Sequence, residues 1–265
     1  MNLYDLRKPE RDKIAERIFS DVFRDINLNS IESILKYSSD KDTYVRKYSY
    51  IAIGKIYKNN ENLRNNILLT LGVLLNNEDE KVRQTAVYAL GEIGKNDFKV
   101  ISNYLDEAIY DSHHSVRNSV VGALKQMGQK NPAPVIEFAK KYLHHEDPKI
   151  RREVIHGIEL RGRTHPDDVL PLLYEVRNDN NIEIRKIIIH VLGQISYKKG
   201  CLEKVISHLK TWPNKELVNL ALKEIIEVHK NYERFSAYSA KEAQDYIVKE
   251  LGSKALLSPV GSEGH

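Results

Sequence analysis

The sequence predicts an all-α chain, a right-handed α-solenoid of about six helical hairpin repeats closed by a helical cap at each end. Three observations carry this. Five segments share one pattern around an arginine; their arginines fall at Arg46, Arg83, Arg117, Arg151 and Arg185, at spacings of 37, 34, 34 and 34 residues; and an Asp, Asn or His stands four residues before each of them. Self-similarity at such a period is the mark of a stacked array, in which each unit buries its apolar face only against its neighbours.

The repeated segments read Tyr44-Val45-Arg46 to Gly54, Lys81-Val82-Arg83 to Gly91, Ser115-Val116-Arg117 to Leu124, Lys149-Ile150-Arg151 to Ile158 and Glu183-Ile184-Arg185 to Gly193. A degenerate sixth copy, Glu216-Leu217-Val218 to Leu222, has lost the arginine. Each unit reads as two helices. In the second repeat an outer helix over 63–75 and an inner helix over 81–93 flank the polar turn Asn76-Asn77-Glu78-Asp79. Asp42, Asp79, Asp147 and Asn181 suit the N-cap, because their side chains accept hydrogen bonds from free first-turn N–H groups. Inner helices are therefore expected to begin near residues 43, 80, 114, 148 and 182. The three extra residues of the first interval fall in the polar run Lys58-Asn59-Asn60-Glu61-Asn62, a loop signal.

The recurring Asp-x-x-Val-Arg-x-x-Ala-x-x-Ala-Leu-Gly pattern resembles the short HEAT-like repeat of the phycobilisome-lyase type, over roughly residues 28–232. The expected organisation is a capping helix within 1–27, a solenoid over 28–230, a second capping helix within 231–251 and a disordered tail over 252–265. Residues 11–23 and 240–251 read as the amphipathic caps, and the tail is rich in Gly, Ser and Pro.

Composition narrows the function classes. The 265 residues are 41% apolar and 29% charged, with a formal net charge of +4, so no strongly basic nucleic-acid binder is announced by the total. One cysteine, Cys201, excludes an internal disulfide and points to a reducing, cytoplasmic compartment. No apolar run approaches the roughly 20 residues of a membrane span, and no secretory signal is read at the N-terminus. No Gly-rich phosphate loop, nucleophile elbow or helix-borne zinc motif occurs, and no cofactor is expected.

Dividing the inner helix by angle, at roughly 100° per residue, sorts its faces. With the repeat arginine at zero, the apolar positions −1, +3, +6, +7 and +10 cluster at roughly 240–340° and form the packing seam. Positions +1, +5 and +8 point the other way, at roughly 80–140°, and would floor a concave groove. They hold Lys47, Gln84, Asn118, Arg152 and Lys186; Ile51, Tyr88, Gly122, His156 and His190; and Gly54, Gly91, Lys125, Glu159 and Gly193. The bias is mildly basic. It suits an acidic protein segment or a phosphate backbone, against the plainer reading of a solvated helix face.

The fourth inner helix breaks the pattern, running Ile158-Glu159-Leu160-Arg161-Gly162-Arg163 where the second and fifth end Leu-Gly-x-Ile. Arg152, His156, Arg161, Arg163 and Lys186 are therefore expected at the centre of a partner-binding surface, with Tyr88, Asn118, Lys125, Glu159 and His190 around it. Arg161 and Arg163 could equally cap the helix's carboxyl end. The repeat arginines read as a structural ladder of hydrogen bonds between adjacent repeats, a phosphate comb being the competing reading.

Catalytic and metal-ligating residues are not expected. The pairs His113-His114 and His144-His145 lie in turns, and metal ligands must converge at about 2 Å. HEAT-like proteins of the deoxyhypusine hydroxylase type hold two irons through His-Glu pairs on inner helices, whereas His145-Glu146 lies in a turn. The array over 116–226 also resembles the HEAT-like alkylpurine-DNA glycosylases, through Val116-Arg117-Asn118-Ser119-Val120, Asn131-Pro132, Ile150-Arg151-Arg152 and Trp212. In those enzymes a carboxylate and aromatic side chains line the cleft. Here Trp212 follows an outer helix, and His156 stands where the related motif implies a catalytic glutamate; Glu159 lies one turn onward. The leading expectation is a non-catalytic scaffold that grips a protein partner, and the alternative is DNA binding without glycosylase activity.

Overall fold

The computed structural model describes residues 3–252; the expected disordered tail, apart from Gly252, lies outside them. Among the described residues there are fifteen α-helices, three short 3-10 helices and no strand. The chain divides into two compact units, Met1–Pro134 and Val135–His265, the division falling in the first turn of one helix.

The first unit opens on α1 (Lys8–Leu28), longer at both ends than the expected cap, and continues through α2 (Glu32–Ser38), α3 (Thr43–Asn59), α4 (Arg64–Leu75), α5 (Glu80–Gly94), α6 (Ser102–Ala108) and α7 (His114–Gly128). The inner helices α3, α5 and α7 stack in sequence, with α4 and α6 as outer partners of α5 and α7. The seam is apolar at the expected register: Val82, Ala86, Ala89, Leu90 and Ile93 on α5, and Val116, Val120, Ala123, Leu124 and Met127 on α7, are all buried.

The division falls in α8 (Pro132–Tyr142); the second unit then runs α9 (Pro148–Gly157), α10 (Glu159–Gly162), α11 (Pro166–Glu175), α12 (Ile182–Ser196), α13 (Cys201–Leu209), α14 (Lys215–Asn231) and α15 (Ala240–Leu251). Inner helices α9, α12 and α14 stack on one another, α11 packs on α13, and α15 closes against α14. Trp212 is fully buried in this unit, its indole N–H donating to His208 Nδ1 at 2.9 Å.

One turn motif is built five times. Asp42, Asp79, His113, Asp147 and Asn181 each cap an inner helix by accepting the N–H two residues on, and the helices begin at 43, 80, 114, 148 and 182 as the caps predict. Two residues before each cap, Asp40, Asn77, Asp111, His145 and Asp179 accept the cap's own N–H. The repeat arginine locks the turn from inside. Arg46, Arg83, Arg117 and Arg151 each donate through Nη1 to the two backbone carbonyls that enter it, at 2.6–3.3 Å. Arg83 and Arg151 also reach the following repeat, each forking onto a carboxylate, Asp111 and Asp179, at 2.7–3.1 Å. Arg185 pairs with Glu216 at 3.0 Å. These bonds belong to the ladder reading, with the addition that Nη1 of four of the arginines serves its own turn.

Burial raises the Asp111 carboxyl, but the Arg83 fork, the His113 N–H and the adjacent positive charges outweigh it and hold the group below the usual carboxylate range. A planar guanidinium on a half-buried carboxylate is the strong form of such a pair.

Candidate binding site on the inner helices

In the second unit, the inner helix that breaks the sequence pattern is itself broken. α9 ends at Gly157, Ile158 takes φ −88° and ψ −6°, and the single turn of α10 carries Glu159 to Gly162. The break falls at the register where α3, α5 and α12 carry glycine, α7 carries Lys125 and this helix carries Glu159.

Around it the structure gathers four of the expected residues. Arg152 and His156 from α9 and Lys186 and His190 from α12, with Glu183 and Ile187, line one pocket of about 340 Å³. Arg152 and Lys186 hold the same position in successive repeats, as do His156 and His190. Each cation has a partner on its own helix: Arg152 Nη1 lies 3.5 Å from Glu153 Oε2, and Lys186 Nζ lies 2.9 Å from Glu183 Oε1 with its side chain 64% exposed.

Glu159 belongs to this cluster but not to its surface. It is 2% exposed, with Oε2 at 3.2 Å from His156 Nε2 and 3.5 Å from His190 Nε2. Its other oxygen, Oε1, accepts from Arg163 Nη2 at 2.5 Å. Arg163 also donates to Gln194 Oε1 and lies over the Tyr197 ring, 5.5 Å from its centroid. Arg163 thus stands behind the carboxylate, not on an open groove floor. The imidazoles meet edge to face, 5.7 Å between centroids, and His156 Nδ1 is buried without a hydrogen-bond partner.

Arg161 goes elsewhere. It pairs with Asp168 of α11 at 2.7 Å, on the outer-helix side. The reason is its register: Arg161 stands ten residues past Arg151, the position that Ile56, Ile93, Met127 and Ile195 fill in the other inner helices, all buried in the seam. Arg163, two residues on, returns to roughly 120°, within the window that faces the pocket. Glu183 and Ile187, which sequence reasoning missed, sit two residues either side of Arg185, just beyond that window at roughly 160° and 200°.

The remaining expected residues belong to the first unit. Tyr88 stacks on Tyr50, 5.2 Å between centroids, and shares a pocket of about 350 Å³ with Tyr44, Arg46, Lys47 and Gln84. Burial, reinforced by Tyr88 and Glu92, pushes the Tyr50 hydroxyl up to about 12. Asn118 is exposed and Lys125 half-buried, both on α7. The paired turn histidines are occupied locally: His113 caps α7 and His145 accepts the Asp147 N–H, while His144 faces Glu175 at 3.2 Å.

With this geometry in hand, the comparisons fall into place. Residues 136–222 match the HEAT-repeat family, and residues 22–115 match the family of non-SMC mitotic condensation complex subunit 1. The chain is built of HEAT-like repeats. No curated protein matches it in sequence. Among solved structures it is similar to AlkD2 from Streptococcus mutans, with a TM-score of 0.54 at 19% identity over 83% of this chain and 100% of that one. It is also similar to smu.31 from Streptococcus mutans UA159, with a TM-score of 0.53 at 18% identity over 77% and 97% of the two chains. At such identities the likeness is one of fold. No helix among the described residues is long and apolar enough to cross a membrane.

Proposed function

We propose that this chain is a non-catalytic, cytoplasmic scaffold whose second unit binds an acidic protein segment along its inner helices. The observation that carries this reading is the pocket where Arg152, His156, Lys186 and His190 meet from matched positions of successive repeats. Matched register lets the two cations act on one extended anionic chain without rearrangement. Lys186's present partner, Glu183, is an exposed neighbour on the same helix, and such surface pairs are worth only about 0–1 kcal/mol. A partner's carboxylate can displace it at little cost. The single cysteine, Cys201, is buried and fits a reducing compartment.

A second reading, duplex DNA as the anion, is favoured by the fold likeness to AlkD2. The two separate by salt. Binding to phosphates falls along a log–log line whose slope is about −0.9 per phosphate neutralised, so six contacts lose orders of magnitude where an acidic peptide loses far less. The test is a titration with a labelled poly-glutamate peptide and a labelled duplex, in wild type and in the double variant Arg152→Glu, Lys186→Glu. The double variant should bind the peptide more weakly by about 2 kcal/mol, as for lost charged hydrogen bonds, with its melting temperature unchanged. A folded double variant with unaltered affinity for both anions would move the binding surface away from this pocket.

A further inference from the structure

The stacking of α9–α10 against α12 creates an arrangement that neither helix has alone. His156 and His190 stand 34 residues apart at one register, and Glu159 rises between them from the broken turn. One ring nitrogen of each histidine and one carboxylate oxygen of Glu159 lie within 4.8 Å of one another. The two measured edges of this triangle, from Glu159 Oε2 to the two Nε2 atoms, are 3.2 and 3.5 Å. A tetrahedral ion with bonds of about 2.0–2.1 Å sets its ligand atoms about 3.3–3.4 Å apart. Two edges of the cluster therefore already match those of a coordination shell.

We propose that His156, Glu159 and His190 form a site for one divalent transition-metal ion, Zn²⁺ foremost, with a fourth coordination position facing the pocket between Arg152 and Lys186. The donor set suits the ion, since two imidazoles and one carboxylate are ordinary zinc ligands, and three protein ligands leave a position for an exogenous one. Part of the supporting shell is present as well. Glu159 Oε1 is held by Arg163, which Gln194 braces in turn, so the carboxylate's orientation is fixed before any ion arrives. His190 Nδ1 lies 4.0 Å from Glu224 Oε1 of α14, a nearby carboxylate that is not hydrogen-bonded to it. Both imidazoles line the pocket while Glu159 lies buried beneath them, so the open position points outward. The ligand the ion would accept there is an anionic oxygen, a carboxylate or phosphate, entering between the two cations.

The test is a Co²⁺ titration of the full chain after treatment with a chelator, read by visible absorption and followed by displacement with Zn²⁺. One ion per chain should bind, with the intense spectrum of low-coordinate cobalt, and Zn²⁺ should abolish it. His190→Ala, at a partly exposed position, should weaken Zn²⁺ binding by at least about tenfold and keep the wild-type melting temperature. Glu159→Gln, which can still accept from Arg163, should weaken it similarly if the variant folds. His144→Ala, outside the cluster, should change nothing. Absence of saturable Co²⁺ binding overturns the proposal, as does an affinity that His190→Ala leaves intact. The groove reading stands apart from this outcome, because the charge-reversal experiment can be run with chelator present.

Discussion

The inner helices of the two units share a cap, an arginine clamp and an apolar seam, yet they differ at one register. Eight residues past the repeat arginine the first unit has Gly54, Gly91 and Lys125, through which α7 runs unbroken, whereas the second has Glu159 and then Gly193. At Gly91 an added Cβ would lie 2.9 Å from Ala123 Cβ, and at Gly193 it would lie 2.7 Å from Glu224 Cγ. Glycine at these points lets consecutive inner helices nearly touch. Where glutamate takes that place, the helix splits after Gly157 and the carboxylate gathers His156, His190 and Arg163. The lesson is that a repeat array can turn a packing position into a polar site by one substitution, provided the neighbouring repeat supplies partners.

The sharpest way to break this comparison is to move the glutamate. Gly91→Glu would place it where Ala123 leaves no room, since even an added Cβ there lies 2.9 Å from Ala123 Cβ. Overpacking of this kind should lower the variant's stability by about 1–3 kcal/mol. A denaturant melt near wild type would show that the glycine register is not a packing constraint.

The reverse change comes next. Glu159→Ala removes the carboxylate and leaves Arg163 half-buried beside Gln194 and Tyr197, so stability should drop by about 3 kcal/mol. Glu159→Gln should recover part of this in the same thermal melt.

The clamps sharpen the comparison further, because they differ in how many partners they hold. Arg83→Ala breaks two bonds to turn carbonyls and the fork onto Asp111, all poorly exposed, and should cost about 3 kcal/mol. Arg117→Ala breaks the same two turn bonds, while its Nε is buried without a partner, and should cost only about 1–2 kcal/mol. Equal losses in chemical denaturation would mean that the carboxylate fork adds nothing.

The smallest effect belongs to pH. His229 of α14 is fully buried, Nδ1 donating to the Ile225 carbonyl at 2.8 Å and Nε2 without a partner. Burial pushes the imidazole below its ordinary value, against a smaller opposing pull from the Ile225 bond. The folded value lies below the unfolded one, so this contribution is complete above about pH 6.5 and is lost as pH falls through the folded value, at up to about 1.4 kcal/mol per pH unit. His229→Leu should flatten that slope in melting temperature measured from neutral to mildly acidic pH. An unchanged slope would assign it to other groups.

How much of this was legible in the chain follows from the range of each interaction. Helix starts were readable to the residue, because a cap acts over two residues and the arginine clamp over six. The seam was readable because burial repeats with the helical period. The angular reading also placed Arg152, His156, Lys186 and His190 on one face, and they share a pocket. The same angles send Arg161, ten residues past Arg151, to the seam side, away from the surface that basic clustering in the sequence suggests. Glu159 was read as part of a groove floor, and its burial could not be seen from its own helix.

The sequence by itself determined the repeat, its caps, its clamps and the faces of its helices, since each rests on contacts within one hairpin or on the period of one helix. Only the tertiary structure decided that His156, Glu159 and His190 converge to coordination distances, and that Arg163 stands behind the carboxylate while Arg161 turns to Asp168. Those distances depend on where α9 breaks and how closely α12 approaches it, and both are set by packing between residues 34 positions apart.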